Sequence, residues 1–288
     1  MNRPSRRFAF TSIAGFAIAA ACILGGLLME NGQLHDVEQV TAALIVFGGT
    51  AGAILVSTPS AVLGSAFRRI RTLVWDETED SSAMIEELIR HARKARTSGI
   101  LSLDAEIDDI TEPFLRKAMM LLVDGVEAAE IRRVMELDLI IYENHAESDA
   151  KVFETAAGLS PTIGIIGAVM GLIQVMKHLE SLSDVGHGIA VAFVATVYGV
   201  GLANLVLLPV ASRIRIRSLQ TSRYRELIIE GVLSIQAGTN PGLMDRLLDG
   251  FVAGQNTAKG PIDESAGAKG QGRGSAPAVP PANVPEAG

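Results

Sequence analysis

Two apolar stretches, Gly158 to Met176 and Gly188 to Ser212, contain no Asp, Glu, Lys, Arg or His. The chemistry open to them is therefore that of hydroxyls, amides and backbone. Thr196, Tyr198 and Asn204 are the strongly polar side chains of the second stretch, and Gln174 is the polar residue near the end of the first. Such groups can pass a proton along hydroxyls and water, or simply bond back to their own helix. They cannot hold a charge, whereas intramembrane ion relays normally carry an ionisable residue. If these segments line an ion path, the titratable group must come from another chain.

Other chemistry is sparse. There is no Walker sequence, no G-x-S-x-G, no H-E-x-x-H and no paired cysteine, so no enzyme is expected. The five histidines, His35, His91, His145, His178 and His187, lack metal-ligand spacing and are expected to be solvated or capping residues. No metal or cofactor is expected. His178 and His187 share a loop with Glu180 and Asp184, which fits a sensor of external pH and a plain solvated loop equally. The single cysteine, Cys22, lies in an apolar run and can form no intrachain disulfide.

The elements that position the polar residues are helices of membrane-spanning length. At a helical period, Pro161, Gly164, Ala168, Gly171 and Val175 fall within an arc of about 80°, leaving one side of the first helix nearly bare. Gly188, Ala192, Ala195, Gly199 and Ala203 do the same for the second, with Thr196 at the edge. Faces of this kind let helices approach closely. Pro161 and Pro209 read either as helix punctuation or as soft points that couple ion passage to helix movement.

With 48% hydrophobic residues, 20% charged residues and a mean hydropathy of +0.32, the chain fits a membrane protein with a substantial aqueous part. Its net charge of -7 comes with no basic stripe interleaved with aromatics, so nucleic-acid binding is not expected. Residues 8–29 and 39–63 form two further apolar runs, making four expected spans. A cleaved signal peptide is the rival reading of the first, but its apolar run continues past Cys22 to Met29. Arginines follow the second span (Arg68, Arg69, Arg71) and the fourth (Arg213, Arg215, Arg217), and others precede the first. The 30–38 loop has no Lys or Arg, and the 177–187 loop has only Lys177. The positive-inside rule then puts both termini and residues 64–157 in the cytoplasm.

Region 64–157 reads as helical throughout. Ser82 to Thr97 carries Met84, Ile85, Leu88, Ile89 and Ala92 on one face, with Gly99 as its stop. Glu112 and Pro113 open the next helix, Gly125 follows its end, and from Glu127 the pattern runs without a breaker into the third span. Beyond Pro209 the helix is expected to reach about Gly238, followed by an amphipathic piece at Gly242 to Phe251. From Gly254 the composition is too poor in apolar periodicity to fold. The expected architecture is all-α: spans one and two within 1–63, a helical block at 64–157, spans three and four within 158–212, C-terminal helices at 213–253 and a disordered tail at 254–288.

Taken together, these features resemble a known family. The span order, the motif P-x-x-G-x-x-G-x-x-x-G from Pro161 to Gly171 and the motif A-T-x-Y-G-x-x-x-A-N-x-x-x-x-P from Ala195 to Pro209 are similar to the MotA/PomA flagellar stator subunits. The segment RTSGILSLDAEID, Arg96 to Asp108, resembles that family's rotor-contacting segment. The resemblance implies five copies around a dimer of a MotB-type single-span partner whose intramembrane Asp carries the ion, in the bacterial inner membrane, pushing the rotor switch-complex protein FliG. It implies ion-path and coupling roles for Pro161, Ala168, Thr196, Tyr198 and Pro209, and helix packing through Gly164, Gly167, Gly171, Gly199 and Ala203. Arg96 matches the family's rotor-binding arginine. Asp104 stands where many members have Glu, and Glu106 is a second candidate for the acid. Sodium-driven relatives carry extra threonines where this chain has Ala168 and Ala195, so Thr196 alone leaves a lean toward H⁺ over Na⁺. The ExbB/TolQ proton-channel family is the nearest alternative, disfavoured by the first two spans here; a non-conducting membrane scaffold is another.

Overall fold

The computed structural model describes residues 6–8, 10–29, 38–73, 75–77, 79–177 and 179–257. The apolar helix α1 (Phe10–Met29) comes first. Helix α2 (Val40–Ala43) passes through a π-helical turn at Leu44–Gly48 into α3 (Gly49–Ser57), making one apolar rod. It stops at Thr58, whose backbone is extended at φ -127°, ψ 132°. The ring of Pro59 crowds a helical residue before it. Helix α4 (Ser60–Leu73) restarts the chain, so the apolar run expected to end at Leu63 is divided at Thr58 and Pro59.

Region 64–157 departs from uniform helix in two places. Strand β1 (Arg6–Phe8) pairs antiparallel with β2 (Trp75–Glu77), with Arg6 opposite Glu77 and Phe8 opposite Trp75. The second departure follows α5 (Ser81–Ser98). Asp80 caps this helix by accepting from the Ser82 and Ala83 N–H groups, each at 3.1 Å. Gly99, at φ +83°, ends it. The chain then winds as a 3-10 helical segment, Ile100–Asp109. Ten residues is long for this tighter helix. It is held by burial of Leu103 and Ile107, with Ile110 buried just beyond.

Helix α6 (Pro113–Val123) starts on the Glu112 side chain, which accepts from the Phe114 N–H at 3.3 Å. Helix α7 (Ala128–Lys177) is continuous for 50 residues, roughly 75 Å at the usual rise. Helix α8 (Leu182–Gly201), a π-helical turn at Leu202–Leu207 and α9 (Leu208–Gln236) form the return rod. Pro209 explains the turn that precedes it: its ring clashes with the carbonyl four residues back, and the wider π turn relieves the clash. Helix α10 (Pro241–Thr257) continues past Gly254, so the tail expected to be unfolded is helical for its first residues. Residues 258–288 lie outside the described residues.

Among the described residues, three rods are long and apolar enough to cross a membrane: Val40–Ser57, α7 and Ser183–Gln236. Helix α1 is itself an apolar helix of 20 residues. The largest core lies in the charged module, where Leu88, Leu103, Leu115, Met119, Ile131, Leu227, Ile228 and Met244 are buried together. A second cluster, including Ile54, Leu63, Phe153 and Ile214, sits where α3 and α4 meet α7 and α9. A third joins Ala42 and Val46 to Val191, Val194 and Ala195. Outside these, Ile165, Ile166, Val169, Met170, Leu172 and Ile173 face outward on α7. Such an apolar exterior belongs against lipid or another chain.

Candidate functional site

The pairing of α7 with α8 is a contact of backbone on backbone. A Cβ added at Gly164 would lie 2.9 Å from the Ala195 carbonyl oxygen, and one at Gly171 would lie 2.8 Å from the Gly188 carbonyl oxygen. At Gly199 it would lie 2.7 Å from the Ser160 carbonyl oxygen and 3.2 Å from the Pro161 Cα. Gly167 meets the Ala195 side chain instead, at 2.8 Å, with Ile45 of the neighbouring rod at 3.4 Å. Gly164, Gly167, Gly171, Gly199 and Ala203 are all buried. Removing the side chains brings the two helices close enough for their backbones to touch.

Around this seam the polar groups take different parts. Ser160, fully buried, donates from Oγ to the Gly199 carbonyl at 2.9 Å and so bridges the two helices beside Pro161. Sequence reasoning passed over Ser160, although its place one residue before the helix-internal proline was a usable signal. Thr196 is half-buried and donates to the Ala192 carbonyl of its own helix at 3.3 Å. Asn204 donates to the Val200 carbonyl at 2.9 Å. Tyr198 is half-buried, its ring 5.9 Å from that of Phe47. Ala168 is half-buried and Ala195 fully buried. Pro161 sits inside α7 at the Gly199 crossing, while Pro209 is exposed below the π turn. Thr50 on α3 was also missed: its hydroxyl is buried with no hydrogen-bond partner among the described residues.

The second candidate surface lies about α5 and the 3-10 segment. Arg96, in the last turn of α5, and Asp104 are both exposed. Glu106 is not equivalent to Asp104. Lys94 Nζ donates to its Oε1 at 2.6 Å, and His91 Nδ1 lies 3.1 Å from its Oε2. The Lys94 ammonium holds the Glu106 carboxyl below the usual carboxylate range, with His91 and Arg90 adding to the effect. Glu106 therefore ties the 3-10 segment to α5. His91, expected to be solvated or capping, is instead fully buried beneath this carboxylate and near Glu87, 3.8 Å away. The nearby His91 ring, with Arg90 beside it, holds the Glu87 carboxyl below the usual range as well. Apolar neighbours at Leu88 and Ala92 put position 91 on the buried face, a signal present in the helical periodicity.

Among the described residues no group of His, Cys, Asp or Glu is arranged to hold a metal ion. A backbone-packed, uncharged helix pair above a charged helical module defines a class of membrane channel subunit. Residues 106–226 match the MotA/TolQ/ExbB proton channel family, and residues 13–99 match the Motility protein A N-terminal region.

The chain belongs to the motility protein A family. It is 31% identical to motility protein A of Bacillus subtilis over 83% of this chain and 88% of that protein. It is 30% identical to chemotaxis protein PomA of Vibrio alginolyticus over 83% and 92% of the respective lengths. In the solved structure of C. jejuni MotAB, one chain aligns with a TM-score of 0.80 at 29% identity, covering 84% of this chain and 95% of that one. The flagellar MotAB stator complex of Bacillus subtilis aligns with a TM-score of 0.78 at 28% identity, covering 87% and 98%.

Proposed function

We propose that this MotA-type stator subunit conducts H⁺ together with a MotB-type single-span partner and converts the flow into torque on the rotor protein FliG. The observation that carries the reading is the α7 and α8 pair, which packs backbone to backbone yet offers no Asp, Glu, Lys, Arg or His from Gly158 to Met176 or from Gly188 to Ser212. A charged relay group must be added from outside, and a partner aspartate supplies it. Each proton crossing a potential of 100 mV releases about 2.3 kcal/mol, which drives movement without nucleotide. The match of residues 13–99 to the Motility protein A N-terminal region favours this reading over an ExbB/TolQ-type channel.

The subunit crosses the inner membrane four times, α1 included, with both termini and the charged module in the cytoplasm. This orientation follows from the arginines after the second and fourth spans. Several copies, five in our reading, surround the partner, and the outward apolar residues of α7 meet lipid and neighbours. Thr196 and Tyr198 line the ion path beside Ala168, while Pro161 and Pro209 allow the helices to flex. Arg96 and Asp104, free of partners among the described residues, engage the rotor; Glu106 supports them from within.

Reconstituted alone, the subunit is expected not to dissipate a proton gradient in vesicles, and to do so with the partner present. Robust conduction by the subunit alone would overturn the reading. Swimming speed measured against external sodium at constant pH tests the ion: speed that vanishes without sodium contradicts proton coupling.

A further inference from the structure

The junction between the apolar rods and the charged module holds a polar cluster separate from the sites above. Asp149 on α7 is buried, its side chain 3% exposed. It accepts from two groups of α4: Arg69 Nε reaches Oδ2 at 2.6 Å, and Ser65 Oγ reaches Oδ1 at 2.5 Å. Ser65 and Arg69 lie one turn apart on the same face of α4. Because α4 follows the Val40–Ser57 rod directly, this bidentate grip fastens the base of that rod to α7. The neighbours are apolar: Leu63, Ala66, Ala150, Val152, Phe153 and Ile214. In such surroundings a charge-assisted hydrogen bond is strong, directional and costly to break from one side.

The cluster extends toward the docking surface. Tyr142 precedes Asp149 by two turns on the same face of α7. Arg69 Cζ lies 5.6 Å from the Tyr142 ring centroid, and Arg225 Cζ on α9 lies 4.2 Å from the same ring. Arg225 is also 5.0 Å from the ring of Phe114, in the first turn of α6. Two residues on, the Arg116 guanidinium donates to the Ile110 carbonyl at 3.0 Å from Nε and 2.5 Å from Nη2. Ile110 ends the 3-10 segment that carries Asp104.

We propose that Arg69 and Asp149 are a positioning pair for torque: they lock the base of the second rod to α7, so that movement of the apolar helices reaches the docking segment through Tyr142, Arg225 and Phe114. The inference rests on the stator reading above. An ion pair suits this task because two oxygens gripped by two donors resist both sliding and rotation, whereas apolar contact is non-directional.

The test uses the full chain produced with its MotB-type partner in cells lacking their own stator, with three readouts: protein in the membrane, ion-driven cytoplasmic acidification and stall torque. The paired replacement Arg69→Met with Asp149→Leu removes both charges of the buried pair together, so the protein should accumulate normally. Acidification should persist, while stall torque should fall roughly fivefold or more, the effect of a modest coupling free energy. The exchanged pair Arg69→Asp with Asp149→Arg should recover part of that torque.

Wild-type torque from the apolar pair would overturn the proposal, as would parallel loss of conduction and torque. If the apolar pair fails to accumulate, Tyr142→Leu decides: it keeps the ion pair but breaks the stack, and unchanged torque would likewise overturn the relay. A wild-type chain that neither conducts nor supports swimming refutes the stator reading itself, which separates the two failures.

Discussion

Gly199→Ala adds one methyl group where there is no side chain to move aside. The new carbon would lie 2.7 Å from the Ser160 carbonyl oxygen, 3.1 Å from the Gly164 Cα and 3.2 Å from the Pro161 Cα. To reach an ordinary contact of 3.4 Å from that 2.7 Å, the two helices must part by about 0.7 Å. Overpacking of this kind costs about 1–3 kcal/mol. The same shift stretches the buried bond from Ser160 Oγ to the Gly199 carbonyl, 2.9 Å long, whose loss adds about 1 kcal/mol. Alanine's better helix propensity returns about 1 kcal/mol. The net expectation is a destabilisation of about 1–3 kcal/mol.

Gly201→Ala is the matched control. It lies two residues away on the same rod, and its added carbon would meet nothing within 4 Å. That variant should be neutral or slightly stabilised, by up to about 1 kcal/mol. Thermal unfolding of the purified proteins in one detergent, alongside swimming speed, tests the pair: Gly199→Ala should melt earlier and swim poorly, and Gly201→Ala should do neither. Equal melting temperatures would refute the claim that the helices touch through backbone at Gly199.

Three further outcomes are expected. Asp104→Lys should abolish motility with melting unchanged, whereas Glu106→Gln should lower melting because it frees Lys94 and leaves buried His91 without its carboxylate; the reverse assignment would show that Glu106 is the docking acid. Lys151 and Arg215 both bond Glu154, Arg215 more strongly, and hold its carboxyl at about 2 against an ordinary 4.5. A depressed carboxyl stabilises the fold above its ordinary pKa and loses that contribution as pH falls through the folded value. The stability gap between wild type and Glu154→Gln should therefore be constant above about pH 5 and close as pH falls toward 2, as acid titration followed by circular dichroism would report. Pro209→Ala should let the Leu202–Leu207 turn relax to regular α-helix and impair swimming while the protein stays in the membrane; normal swimming would reduce the proline to punctuation.

Much of the architecture follows from one-dimensional signals. Apolar length alone marks the rods, since a span needs about 20 uncharged residues. Helix ends at Asp80, Gly99, Glu112 and Gly125 are local, because capping and positive φ involve a few neighbouring residues. The small-residue faces of α7 and α8 are equally local, being set by spacing on each helix. The missing intramembrane charge, from which an external acid was inferred, is a matter of composition.

What the tertiary structure alone decided is who meets whom. The motif from Pro161 to Gly171 names small residues, but only packing shows that Gly199 lies on Ser160 and Pro161 while Gly167 also faces Ile45. Asp104 and Glu106 are both acids near one end of a segment. Their difference arises because the 3-10 winding turns Glu106 toward Lys94 and His91 and leaves Asp104 outside. Arg69 counts in sequence as one more charge in a basic exit; that it grips Asp149, 80 positions along the chain, depends on two helices meeting in an apolar junction. Charge, propensity and length act through near neighbours and are legible in order, whereas ion pairs across helices depend on distances that exist only once the rods have packed.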